Sequence, residues 1–306
     1  MDKVDIIVVT YNRKRLLIRC IEALMKQTIK PHRVIVVDNA STDGTDEVIH
    51  DYLNQYCDIF EYIKLDTNTG GSGGFAEGFK RALSTPDWDW LMVMDDDAAP
   101  EPAYTEKLLK HSEQNPSVKS FIGTEYVGDT DRIAFGGRGV IDKEKTMRTC
   151  LVPKSTYNQS EFLVDTAVFV GLMMHKDIVT KVGCPDSSFF IYYDDTDYCF
   201  RMREYTKILH ITDARIVHRE DYEKDVKEGG SALWRQFYLY RNEVLIKKRY
   251  IKSPFVRYGW IAKNYLRAIL EILKKKDQKR KRVSLTTRAT FDVLRNHLGK
   301  VDYLDV

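Results

Sequence analysis

Two short runs, VDIIVVTY at 4–11 and HRVIVVDN at 32–39, are β-branched and almost continuously apolar. An unbroken apolar run marks a strand covered on both faces, as in a parallel sheet, whereas a strand with one wet face alternates. Between the two, RKRLLIRCIEALMKQ repeats its apolar residues at helical spacing, so the opening segment predicts a right-handed β-α-β unit. STDGTDEVIHDYLNQY starts behind Ser, Thr and Asp capping residues and predicts a second helix. IFEYIKLD, GFAEGFKRAL and DWLMVMDDD then predict a third strand, a third helix and a fourth strand ending in three acids. The expected fold is α/β, a doubly wound Rossmann-like sheet with ligands beyond the carboxyl ends of its strands.

After residue 100 the alternation loosens. FIGTEY, RIAFGG, VDTAVFVGLMMHKD and ILHITDARIVHRE predict strands of a mixed sheet, and GCPDSSFFIYYDDTDYCFRMREY passes from a turn through aromatic residues into a helix. From about Ser231 the chain becomes helical, aromatic and basic. The expected division is therefore a catalytic region at 1–230 and a helical, amphipathic region at 231–306.

Composition narrows the classes. A chain of 306 residues with 43% hydrophobic content is long enough for a generous core, and a net charge of +3 argues against a nucleic-acid binder. The concentrated basic block is KKKDQKRKR at 274–282. Cys20, Cys57, Cys150, Cys184 and Cys199 are scattered and lack zinc or redox spacing, which fits a reducing cytosol. No leader-like or membrane-spanning run is expected, so the chain reads as cytoplasmic.

Several residues are candidates for chemistry. In an extended strand residues i and i+2 face the same way, so Asp95 and Asp97 can converge on one cation while Asp96 points elsewhere; Mg²⁺ or Mn²⁺ suits such oxygen ligands. The alternative is a solvated acidic turn. NTGGSGGF at 68–75 puts four glycines before a helix, fitting a close approach by a ligand or a tight turn, yet matches neither GxGxxG nor a P-loop. Thr10, Tyr11 and Asn12 close the first strand, and Asp38 and Asn39 the second, as nucleotide readers or as caps. Tyr192, Tyr193, Asp194, Asp195, Thr196 and Asp197 form a second acidic cluster beside aromatics, suited to a general base or to a helix cap. His218 closes ARIVH and can complete an Asp/Asp/His cation site or be structural.

Taken in order, VVTYNR, VVDNASTDGT, the glycine run, MDDD and YYDDTDYCFR resemble a family-2 inverting glycosyltransferase of GT-A fold, over residues 4 to about 220. NTGGSGGF, the triple Asp, DDTDYCFR and IVH are further similar to bacterial galactofuranosyltransferases. The resemblance implies a mixed GT-A sheet with a C-terminal helical region and a nucleotide-sugar donor, UDP-linked by preference. It assigns the donor to Thr10, Asn12, Arg13, Asp38, Asn68, Gly70, Gly71, Gly73, Asp95 and Asp96. Asp95, Asp97 and His218 would hold Mn²⁺ or Mg²⁺, and Asp195 would be the catalytic base. Tyr192, Tyr193, Asp194 and Trp234 would face a glycan or lipid-linked glycan acceptor. A dTDP-rhamnose donor, or a non-catalytic nucleotide-sugar binder, remains the alternative.

In FVRYGWIAKNYLRAILEILKKK, Phe255, Trp260, Ile261, Tyr265, Ile269, Leu270 and Leu273 fall largely on one side, with Arg257, Lys263, Arg267 and the lysines elsewhere. Such a helix fits the inner face of an anionic membrane, or it packs on the catalytic region or on a second copy in a homo-oligomer.

Overall fold

The computed structural model describes residues 2–56, 58–128, 130–218, 233–302 and 304. Cys57 and the expected boundary at 230/231 lie outside the described residues. The first half alternates as the apolar pattern requires: β1 (Val4–Thr10), α1 (Lys14–Met25), β2 (Arg33–Asp38), α2 (Thr45–Gln55), β3 (Phe60–Lys64), α3 (Gly70–Ser84) and β4 (Trp90–Asp95). There follow β5 (Ala98–Pro100), α4 (Tyr104–Gln114), β6 (Ser120–Val127), β7 (Arg138–Lys143), β8 (Arg148–Leu151), β9 (Glu161–Val164), β10 (Thr166–Ala167) and β11 (Leu172–His175). The chain continues through α5 (Lys176–Val182), α6 (Asp194–Met202), β12 (Ile208–His218), α7 (Leu233–Tyr250), α8 (Pro254–Lys274) and α9 (Lys279–Arg295).

Among the described residues the main sheet has nine strands in the order β3-β2-β1-β4-β11-β6-β12-β5, with β9 also pairing β12. β1, β2, β3 and β4 run parallel, while β11 lies antiparallel between β4 and β6, so the sheet is mixed. Every residue of β1 is buried, because one apolar cluster covers each face. Leu17, Ile21, Leu24 and Leu108 lie on one side and Phe75, Phe79, Phe169 and Tyr198 on the other. A smaller antiparallel sheet, β10-β7-β8, packs alongside.

The structure departs from the sequence pattern in particular places. α3 starts at Gly70, so the glycines form its first turns instead of preceding it. A Cβ on Gly74 or Gly78 would sit 2.5 Å from Val9 or Ile7, and the missing side chains let α3 lie close against β1. RIAFGG is not a strand: only Ile133 bridges to Tyr126, and the strand begins at Arg138. The residues after the acid triplet turn back as the short strand β5, and α4 and α5 are helices that the sequence pattern did not predict.

The helical region shares cores with the rest. Val244, Leu245 and Ile246 of α7, Ile261 of α8 and Val293 of α9 cluster with Met147, Phe189 and Phe200. The amphipathic face expected on α8 divides in two. Ile261 and Ile272 are buried, whereas Phe255, Tyr258, Leu266, Leu270 and Leu273 form an exposed stripe. Among the described residues no helix is long and apolar enough to cross a membrane.

Candidate active site

Strand register alone gathers the first part of the site. Thr10 pairs with Asp38 across β1 and β2, and Val9 with Asp95 across β1 and β4, so three strand ends finish at one edge. β5 folds back beside β12 and sets His218 opposite Ala98, one residue beyond Asp97. Asp95, Asp97 and His218 each offer a ligand atom, and these atoms lie within 4.8 Å of one another. His218 Nε2 is 2.9 Å from Asp97 Oδ1, and its Nδ1 is 2.6 Å from Glu125 Oε1. Burial alone would lower the His218 pKa, but the hydrogen bonds to Asp97 and Glu125 prevail and lift it to about 10.

Two carboxylates with one imidazole suit a divalent ion that favours oxygen ligands, such as Mn²⁺, and the carboxylate behind His218 would orient the ring as carboxylates behind metal-bound histidines do. A cation at Nε2 would displace a proton there.

Asp96 points away from the cluster, as expected from the sequence, although the strand ends at Asp95 and the residue lies in the turn after it. It is buried; Thr10 donates its hydroxyl to Oδ2 at 2.6 Å, and Arg13 Nη1 approaches Oδ1 at 3.5 Å. Desolvation pushes the Asp96 pKa up to about 7 against the pull of Arg13. Arg13 also donates to Asp97 Oδ2 at 2.8 Å, tying the first strand's end to the cation cluster. Asn12, at φ 53°, accepts from Thr42 N–H at 2.7 Å and donates its own N–H to Ser41 at 2.9 Å. Asp38 is fully buried, and its oxygens accept from Ser41 N–H at 2.8 Å and Tyr62 Oη at 2.6 Å. As it stands, Asp38 pins the loop after β2.

The glycine run receives protein, and one position stays open. Asn68 accepts from Gly70 N–H at 2.8 Å. Gly70 has φ +75°, and a Cβ there would fall 2.0 Å from the Phe190 carbonyl oxygen. A Cβ on Gly73 would meet Thr69, whereas Gly71 has nothing within 4 Å of its Cβ position.

Asp194 and Asp195 begin α6, directly behind Tyr192 and Tyr193. Both carboxyl pKa values are raised, chiefly by desolvation; the Asp195 and Asp95 charges add to the rise at Asp194. That influence of Asp95 brings the second acidic group within electrostatic reach of the first. Asp195 Oδ1 accepts from Thr196 N–H at 2.5 Å, and the charge of the buried Arg138 opposes its rise. Asp197 does different work: it is buried and bound by Arg201, Arg249 and Tyr250, a structural knot for the helix. Trp234 packs in one cluster with Phe190, Ile191 and Tyr192.

Sequence reasoning missed Glu125, Arg138 and the part Asn39 plays. Asn39 donates to Gly70 O at 2.6 Å and accepts from Thr69 N–H at 2.8 Å, stitching β2 to the glycine turn. The one usable signal was the acid at Glu125 inside the otherwise uncharged FIGTEY run.

A mixed sheet whose central parallel strand ends carry an Asp/Asp/His cluster, with a desolvated carboxylate pair at the start of α6, is the setting in which the comparisons with known proteins fall. The model of Glycosyl transferase family 2 matches residues 5–168, and the chain belongs to that family; it is a glycosyltransferase. It is similar to galactofuranosyltransferase GlfT1 of Mycolicibacterium smegmatis, 30% identical over 62% of this chain and 62% of that protein. It is also similar to GlfT1 of Mycobacterium tuberculosis, 26% identical over 85% of this chain and 88% of that one. The fold matches GalNAc-T7, solved with UDP, GalNAc and Mn²⁺, at TM-score 0.64 and 13% identity, over 96% of this chain and 56% of that one. It also matches S. aureus TarS 1-349, solved with UDP-GlcNAc, at TM-score 0.54 and 13% identity, over 96% of this chain and 73% of that one. At such identity these structures speak for the GT-A fold alone.

Proposed function

We propose that this glycosyltransferase moves galactofuranose from UDP-galactofuranose onto a lipid-linked surface glycan, with inversion and with a divalent metal. The observation that carries the reading is the Asp95, Asp97, His218 cluster at the strand ends, with ligand atoms within 4.8 Å of one another. The named relatives support the choice of sugar. Asp95, Asp97 and His218 would hold Mn²⁺ or Mg²⁺, which when bound offsets the negative charge of a departing diphosphate.

Asp195 would take the proton of the acceptor hydroxyl. Burial raises its pKa toward the working range of a general base, opposed by the hydrogen bonds from Thr196 and then by the Arg138 charge. Asp194, deeper and raised further, would keep its proton and donate to the acceptor or to its neighbour. Thr10, Asn12, Arg13, Asn68, Gly71 and Asp96 would line the donor side. Asp38, Gly70 and Gly73 would shape that wall from behind, through Ser41 and Tyr62, Phe190 and Thr69. Tyr192, Tyr193 and Trp234 would offer stacking faces to the acceptor sugar.

The test is release of UDP from UDP-galactofuranose by the full chain, with Mn²⁺ or with chelator, beside dTDP-rhamnose and UDP-GlcNAc. Transfer from the first donor alone, lost on chelation, is expected. Preference for dTDP-rhamnose would overturn the donor, and chelator-resistant transfer would overturn the metal.

The reading extends to an anionic membrane surface. The exposed stripe Phe255, Tyr258, Leu266, Leu270 and Leu273 is flanked by Lys263, Arg267 and Lys274, a pairing of apolar and cationic groups that fits a headgroup layer. Flotation with phosphatidylglycerol vesicles should carry the full chain upward. Equal flotation with neutral vesicles, or none, would remove this part.

A further inference from the structure

The segment Ser188–Tyr193 crosses between the first turn of α3 and α7 in a conformation L-residues rarely adopt. Phe190, Tyr192 and Tyr193 have φ of 65°, 66° and 68°. At Phe190 a ψ of −59° closes a three-residue turn in which Ile191 N–H donates to Phe189 O at 2.8 Å. This hand of γ-turn is rare and strained, and such residues persist only where the surroundings over-determine them.

The surroundings are two adjacent side chains of α7, Arg241 and Asn242, both fully buried. Asn242 Nδ2 lies 3.0, 2.7 and 2.9 Å from the carbonyl oxygens of Phe189, Ile191 and Tyr192. Arg241 Nη2 donates to Phe189 O at 2.7 Å and Ser188 O at 3.3 Å. Its Nε donates to Asn242 Oδ1 at 2.9 Å, which fixes the amide with its donors toward the loop. From the opposite side Ser72 N–H donates to Phe190 O at 3.1 Å. Each carbonyl from Ser188 to Tyr192 therefore meets a donor from outside the loop, and α6 with its two acids starts at the residue after Tyr193.

We propose that Arg241 and Asn242 are positioning residues for the catalytic base. They hold the strained loop in the one shape that delivers Asp194 and Asp195 beside the Asp95 charge, and themselves touch neither donor nor acceptor. Apolar side chains would fill the same space without burying a guanidinium, which is costly unless its partners need it. Here the partners are the carbonyls of a turn that would otherwise relax. The proposal rests on the reading of Asp195 as the base.

Asn242→Asp keeps the shape and the acceptor for Arg241 while removing the donors; Asn242→Ala removes both. A misplaced catalytic group costs on the order of 100-fold in rate. With UDP-galactofuranose, Mn²⁺ and a synthetic lipid-linked galactose acceptor, kcat should fall by about that factor in both variants. Donor KM and Mn²⁺-UDP affinity should stay within about threefold, since only the transition state loses an interaction. Amide hydrogen exchange should quicken across residues 188–196 and stay unchanged in β1 to β4. Unchanged kcat, unchanged exchange, or donor affinity lost along with kcat would each overturn the positioning role. A wild-type chain that turns over no nucleotide sugar would sink the assignment of Asp195 instead, and the loop clamp would then stand or fall on the exchange.

Discussion

The carboxylates at the end of β4 and those at the start of α6 are held in place by opposite means. Asp95 ends β4, whose neighbours fix it through ladder register; Asp97 follows in the tight turn into β5, and His218 arrives on β12 paired to β5. Asp194 and Asp195 follow three residues at positive φ and depend on donors from α3 and α7. One group is held by backbone periodicity, the other by side chains that meet it from far along the sequence. The β4 side should therefore tolerate local change better than the α6 side.

Asp195→Asn offers the largest expected break in this comparison. Transfer should fall by roughly 10³-fold, the middle of the range for a lost general base, with Mn²⁺-UDP affinity within a few-fold by calorimetry. Asp97→Asn should do the reverse, removing metal-dependent UDP affinity along with turnover. If both variants lose UDP equally, the two carboxylate groups do not have separate roles.

Gly70→Ala attacks the contact between the two regions. Its Cβ would meet the Phe190 carbonyl at a φ of +75°, so destabilisation of about 2–3 kcal/mol in urea unfolding is expected. Gly71→Ala, with open space at its Cβ position, should leave stability nearly unchanged.

The strand region carries its own pH signature in His210, also on β12. It is fully buried and stacks on Phe162 at 4.3 Å, and burial pushes its pKa down from 6.5 to about 2. Because the folded chain keeps His210 neutral, stability is complete above the unfolded pKa and is lost as pH falls. Below pH 6.5 this one group contributes about 1.4 kcal/mol per pH unit. In urea titrations from pH 7 to 5 the difference between the wild type and His210→Gln should change with that sign, because the raised Asp96, Asp194 and Asp195 carboxyls, which pull the opposite way, are common to both chains. A difference that stays constant would mean His210 does not titrate this way.

The smallest effect belongs to the exposed stripe of α8. Phe255→Ser with Leu270→Ser, at residues 90% and 59% exposed, should shift stability by no more than about 0.5 kcal/mol each while weakening flotation with anionic vesicles. Retained flotation would confine the membrane contact to another surface.

How much of this was legible follows from the same contrast. The parallel strands and the acid triplet were readable because burial on both faces writes continuous apolar runs, and Asp96 points apart from its neighbours as alternation predicts, though from the turn after β4. The role of the glycines was not readable, since sequence shows that something approaches the backbone but not that it is the Phe190 carbonyl. RIAFGG failed as a strand because β propensity without a ladder partner decides little. The face of α8 was read as one apolar surface, yet within it Ile261 packs inward while Phe255, Leu270 and Leu273 do not. Arg241 and Asn242 lie in WRQFYLYRN, a stretch that resembles a family motif near the acceptor site or else core aromatics, and nothing in its spacing points to carbonyls some fifty residues earlier.

Helix α7 also bears on how this enzyme can be taken apart or rebuilt. A truncation just ahead of Leu233 would leave the sheet and its acids intact on paper, yet strip the amide that keeps the turn beneath Asp195 from uncoiling. Hybrids that exchange the C-terminal helices to alter acceptor choice would have to carry the matching 188–193 segment with them, as lock and key travel together.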